Sequence, residues 1–231
     1  MERKTKKLNI SSEPVIVLIL AFIWNLIAYT GARLIAFSWP HHDITTALDR
    51  RIPLVSWTVL IYFGCYAVWG INYYLCAMQE KPARDRFFCA DTLSRLVCFL
   101  IFLLFPTTTV RPEITEGGVW GALMKLLYFI DSADNLFPSI HCLISWFCWI
   151  GVRKRKEIPA WYRHFSFIAA LAVCVSTVTT KQHVLVDIFG GVLLAEISYY
   201  IAGLSRLSET YGRFITWLQR KISEKMQHRP K

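Results

Sequence analysis

Residues 14–37 read PVIVLILAFIWNLIAYTGARLIAF, with Arg33 the only charge. A helix needs about 20 mostly apolar residues to cross a bilayer core, and this run supplies them. It is too long for a secretory leader core, and no small-residue cleavage site follows it, so it reads as a retained first span. Outward from it the pattern repeats in Leu54–Met78 and Phe88–Thr109, continues in the shorter Ser139–Val152, and is completed by Phe165–Thr180 and Val184–Leu204. The expected fold is all-α: a polytopic membrane protein, residues 1–231 forming one domain, built as a six-transmembrane-helix bundle. Composition agrees, with 55% hydrophobic, 15% aromatic and only 18% charged residues. A soluble domain of this size needs more charged surface than that.

The net charge of +10 would suit a nucleic-acid partner if it were spread evenly. It is not. With six spans and the N-terminus inside, the inner segments hold nineteen Lys and Arg, the outer ones five, and Arg33 and Arg95 lie within spans. That bias predicts cytoplasmic termini, and an anionic leaflet accounts for the basic excess without nucleic acid. Small size and minimal loops point to a bacterial plasma membrane. The seven cysteines fall mostly in apolar segments without metal-type or C-x-x-C spacing, which predicts buried free thiols rather than disulfides or zinc.

No repeat or linker divides the chain, and segment 88–204 carries all the chemistry described below. The longest outer connection, 106–137, contains Val119–Ile130, which predicts a short helix on the outer surface. In the tail 205–231, Leu207, Tyr211, Phe214, Leu218 and Ile222 recur at helical spacing, with Arg213, Arg220, Lys221 and Lys225 on other faces. That predicts an amphipathic anchoring helix, favoured over a partner-binding one.

Three segments fall on the outer face: Thr107–Pro112, Asn135–Cys142 and Thr177–Asp187. In the second, Pro138 and Ser139 precede a helix whose first N–H groups and positive dipole end suit an anion; His141 adds a proton that moves near neutral pH. In the third, His183 and Asp187 are four apart, one helical turn, so the carboxylate can fix one imidazole nitrogen and leave the other to attack. Arg111 and Lys181 supply cations for phosphoryl oxygens. Singly these features are weak: interfacial histidines and H-x-x-x-D pairs are commonly structural. A metal site from His141, His183 and Asp187 is admissible on ligand type but disfavoured, and no cofactor is expected. Among other polar residues, Asp91 and Arg95 read as an ion pair, Glu196 as an interhelical hydrogen bond, Asp131, Asp134 and Asn135 as caps of the fourth span in preference to residues that shape the pocket, and Gly190-Gly191 as a close helix contact.

Arg111-Pro112, Pro138-Ser139-Ile140-His141 and Ser176 with His183-x-x-x-Asp187, the two histidines 42 residues apart, resemble the three ordered motifs of the type 2 phosphatidic acid phosphatase superfamily. The resemblance implies a metal-independent lipid phosphatase acting on phosphatidate-like lipids, phosphatidylglycerol phosphate or polyprenyl pyrophosphate. His183 would be the nucleophile, giving a phosphohistidine; Asp187 would orient it and His141 would protonate the leaving group, while Arg111, Ser139 and Lys181 would hold phosphate oxygens. The chain departs from the pattern where the family has a cation at 104 (here Leu104), Gly at 140 (Ile140) and Arg at 177 (Thr177). The Pro138-Ser139-x-His141 form with the bulky Ile140, together with the Gln182-His183 pair, resembles the inositol phosphorylceramide synthase-like branch, whose chemistry is transfer of a phospho-head group to an alcohol such as inositol. A lipid-binding or transport protein without chemistry is the remaining alternative.

Overall fold

A computed structural model describes residues 12–204 and 206–227; the basic N-terminal tail and Arg229 and Lys231 lie outside the described residues. The chain runs through α1 (Glu13–Ala36), which contains a single π turn at Ile27–Gly31, then the short α2 (Ala47–Arg51) and α3 (Ser56–Ala77). α4 (Lys81–Leu104), α5 (Gly118–Ile130), α6 (Ile140–Val152), α7 (Ala160–Thr179), α8 (Leu185–Leu204) and α9 (Leu207–Gln227) follow. Two short strands, β1 (His42–Asp43) and β2 (Thr107–Thr108), pair in parallel, His42 against Thr107. α1, α3, α4, α7 and α8 are each long and apolar enough to cross a membrane. The protein is an integral membrane protein with a helical architecture.

The expected fourth span, α6, is only thirteen residues long. Ten of them are buried, because α3, α7 and α8 surround it. It is the axis of the bundle. α4 begins at Lys81 rather than Phe88 because the charges of its first turns are all engaged: Arg84 binds Glu13, Lys81 lies 3.2 Å from Asp85, and Arg86 donates to the Tyr199 carbonyl at 3.0 Å. It stops at Leu104 rather than Thr109, since Pro106 has no N–H to continue a helix and Thr107–Thr108 pair with β1.

The first turns of α1 and α4 meet α9 at one end of the bundle. Glu13 accepts from Lys81 and Thr216 there, and Gly212 of α9 is so close to α4 that a Cβ would lie 2.1 Å from Asp85 Oδ2. The apolar stripe expected on α9 is split by this docking. Tyr211, Ile215 and Leu218 turn toward the bundle, whereas Leu207, Phe214 and Trp217 are exposed. Glu196 takes a bidentate pair from Arg153 (2.6 and 2.9 Å) and a bond from Trp146 (2.9 Å), and Asp91 and Arg95 form a buried pair at 2.9 Å. All seven cysteines are free and buried.

Candidate active site

The opposite end is assembled by loops tied to one another. The β1–β2 pairing fixes the connection after α4. The Thr107 hydroxyl accepts from the backbone N–H of Leu136 (3.0 Å) and Phe137 (2.8 Å), which anchors the loop entering α6. Ser139 caps α6, its hydroxyl accepting from Cys142 N at 3.3 Å, and its own N–H donates to the Asp187 carbonyl at 3.1 Å. That contact brings α8 against the start of α6, and glycine permits it: a Cβ on Gly191 would lie 2.6 Å from the Ser139 carbonyl oxygen. From the other side, α2 is capped by Thr46 and Asp49 in a reciprocal box, and Asp49 accepts from Leu185 N at 2.7 Å, satisfying the start of α8.

These ties bring together His141, His183, Asp187 and Arg111. Asp187 accepts from His183 Nδ1 at 3.2 Å and from Val184 N at 2.9 Å through one oxygen, while its other oxygen has no partner among the described residues. Burial works against a charged His183, but the Asp187 carboxylate outweighs it and leaves the imidazole pKa raised. The His141 and His183 ring centroids are 6.0 Å apart. Arg111 donates to the Asp131 carbonyl and to the Gln182 side chain, with its Nε unpartnered. A cavity of about 170 Å³ opens between Arg111 and the two histidines.

Two expected phosphate ligands are committed elsewhere. The Ser139 hydroxyl is fully buried as the α6 cap. The Lys181 ammonium donates to the Asp49 and Ile52 carbonyls and clamps α2; it lines a separate cavity of about 290 Å³ that also touches Arg111 and His183. Leu104, where the family carries a cation, is 82% exposed and faces away, and the Thr177 hydroxyl bonds the Cys174 carbonyl at 2.8 Å. Asp131, Asp134 and Asn135, expected as caps, line the histidine cavity instead. No group of three or more His, Cys, Asp and Glu side chains gathers at metal-binding geometry among the described residues.

The site also uses residues that sequence reasoning passed over. Tyr62, Tyr66 and Trp69 of α3 surround the His141 ring with centroids 4.4, 6.1 and 5.4 Å away. Asn25 and Tyr29 of α1 complete the cavity wall. Tyr62, Tyr66 and Trp69 share one helix face at i, i+4 and i+7, a spacing that lipid-facing aromatics also show.

A helical membrane protein with a His–Asp pair facing a second histidine beside an arginine is of the phosphoester-handling kind. The chain belongs to the PAP2 superfamily, whose family model matches residues 32–201. That span takes in every motif segment, and the superfamily generally comprises phosphatases and related phosphotransferases. No curated protein and no solved structure matches.

Proposed function

We propose that the protein cleaves or transfers lipid phosphate esters through a phosphohistidine on His183. The carrying observation is the Asp187–His183 pair aimed across the Arg111 cavity at His141. Asp187 holds the His183 Nδ1 proton, which leaves Nε2 as the nucleophile. Arg111 offers its free Nε and its charge to the phosphoryl oxygens. As Nε2 of His183 bonds phosphorus, the leaving oxygen departs with the P–O electron pair and takes a proton from His141. Water or an alcohol, deprotonated by His141, then takes the phosphoryl group from His183. The scheme uses no metal.

Transfer to an alcohol has a specific observation in its favour. Asn25 Oδ1, Asp134 Oδ1, both amide atoms of Asn135 and Gln182 Nε2 are buried without partners among the described residues, and all four residues line the cavity. Such mixed donors and acceptors match hydroxyl groups, each of which donates and accepts.

In the membrane, α6 acts as a sixth crossing. Thirteen residues span about 20 Å, and the buried 135–139 loop supplies the rest; irregular backbone is tolerated at depth where protein covers it. The charge bias then puts both ends of the chain in the cytoplasm and the histidines at the outer face. A membrane-impermeant thiol label should reach a cysteine placed at 113–118 but not one at 153–158.

The activity is tested with purified protein in detergent plus EDTA, against phosphatidate-like, phosphatidylglycerol phosphate and polyprenyl pyrophosphate substrates, with and without inositol. Phosphate release or a new phosphoester is expected, as is an acid-labile phosphoenzyme absent from His183→Ala. A His183→Ala enzyme as active as wild type would sink the reading.

A further inference from the structure

Asp131 is a half-buried residue at the cavity edge whose carboxylate has no Lys or Arg within ion-pair distance among the described residues. Tyr29 donates to Oδ1 at 2.6 Å and Tyr62 donates to Oδ2, while Arg111 takes the Asp131 carbonyl rather than the carboxylate. The Tyr62 oxygen lies 3.2 Å from His141 Nδ1, and the Tyr66 hydroxyl 3.3 Å from Nε2. Because the Tyr62 proton is directed to Asp131, the phenol oxygen can only accept from His141. Nδ1 therefore carries a proton, and Nε2 is the nitrogen that exchanges a proton with substrate, in competition with the Tyr66 hydroxyl.

We propose that Asp131, acting through the Tyr62 hydroxyl, is a positioning residue that sets the His141 tautomer and stabilises its protonated form for leaving-group protonation. The proposal rests on His141 being the acid of the reaction described above. It gives the site two His–carboxylate units: one direct, at His183, and one relayed through a phenol, at His141. A half-buried carboxylate without an ion-pair partner favours positive charge on the imidazole beside it, so a proton that His141 takes up in turnover meets an opposing charge. When the ester bond breaks, the Nε2 proton passes to the leaving oxygen, which keeps the bonding electron pair. The Nδ1 proton stays on the ring, and neither Tyr62 nor Asp131 exchanges one. Burial opposes charge on Asp131, yet His141 and the two phenols hold its pKa below the usual carboxylate range. The groups facing His141 are Tyr62 and Tyr66 from α3, Asp131 from the α5–α6 connection and His183 from the α7–α8 loop, with Tyr29 and Arg111 behind Asp131.

The test compares Asp131→Asn and Tyr62→Phe with wild type on two lipid phosphates, one with an alkyl and one with a nitrophenyl leaving group. Nitrophenolate departs without a proton. On the alkyl ester kcat/KM should fall about 100-fold, the lower range of general-acid effects, but less than about threefold on the nitrophenyl ester. The double variant should be no worse than the worse single, as expected of one unit. Equal losses on both esters, or no loss on the alkyl ester, overturn the proposal. If wild type turns over neither ester, the functional reading falls, and a substrate-free measurement still judges the relay. Diethyl pyrocarbonate labelling of His141, followed by peptide mass spectrometry across pH, should show its midpoint about one pH unit lower in both variants. An unmoved midpoint overturns it.

Discussion

The two ends of the bundle both bury charge, and they settle it in opposite ways. At the α1–α4–α9 end, carboxylates meet cations: Glu13 with Arg84 and Lys81, Asp85 with Lys81 and Arg84, Glu196 with Arg153. At the histidine end Arg33 pairs with Asp134 at 2.9 Å, but Asp131 is held by phenols and Asp187 by one imidazole and a backbone N–H, while Asn135, Gln182 and Asp187 keep polar atoms without partners among the described residues. Charge matched by opposite charge holds helices together. Charge matched by neutral donors, beside unsatisfied amides, leaves capacity for a ligand. Arg163 Nε and the Tyr211 hydroxyl show that orphaned atoms occur elsewhere too, but there they do not gather around a cavity with paired histidines.

Substitutions can break or sharpen that contrast. The largest effect is expected from His183→Asn at the open end: at least about a 1,000-fold loss of kcat with an unchanged melting temperature in detergent. At the paired end Arg84→Met should do the reverse, lowering stability by about 3 kcal/mol by stranding buried carboxylates while the folded fraction retains its specific activity. If Arg84→Met instead abolished activity at full stability, the division between the ends would be wrong. A pH profile gives the next effect. His183 must be neutral to attack, and its pKa is raised, so kcat/KM should fall with acid through an inflection above the ordinary imidazole value of about 6.5. Asp187→Asn should move that inflection to lower pH. Gly212→Ala, which forces a methyl into Asp85, should cost about 1–3 kcal/mol of stability and leave the inflection in place. Glu196→Gln should be the mildest, under about 1 kcal/mol, because its pair with Arg153 is partly exposed and screened.

Sequence made the apolar framework legible because bilayer length is a strict constraint. Five of the expected spans match long apolar helices, although α4 runs deeper into charged sequence than hydropathy alone allows, since Arg84 and Asp85 are ion-paired and Arg86 is bonded to the Tyr199 carbonyl. The motif residues His141, His183, Asp187 and Arg111 were legible as chemistry and converge. Ser139 and Lys181 were read as phosphate ligands from residue type, yet backbone groups of the same fold compete for them: a helix start claims one and two α2 carbonyls the other. The aromatic wall was not legible. On a membrane helix Tyr62, Tyr66 and Trp69 are indistinguishable from lipid-facing aromatics until α6 is placed beside them. Asp131 was hidden for a related reason, because its partners lie 69 and 102 residues away on separate helices.

One detail of α1 bears on how such a wall arises. The π turn at Ile27–Gly31 contains Tyr29, the residue that reaches Asp131. A π turn holds one more residue than an α turn, so it acts as an insertion absorbed without breaking the helix. Wound as a regular α-helix with no residue removed, the same sequence would swing the two halves of the helix by about 100° relative to each other. Either Tyr29 would leave Asp131 or Arg33 would leave Asp134 and Ser132, which it now holds. The extra residue works as a rotational shim, letting a helix whose lower half is fixed at Glu13 present its upper half to the substrate chamber at an angle that regular geometry does not offer.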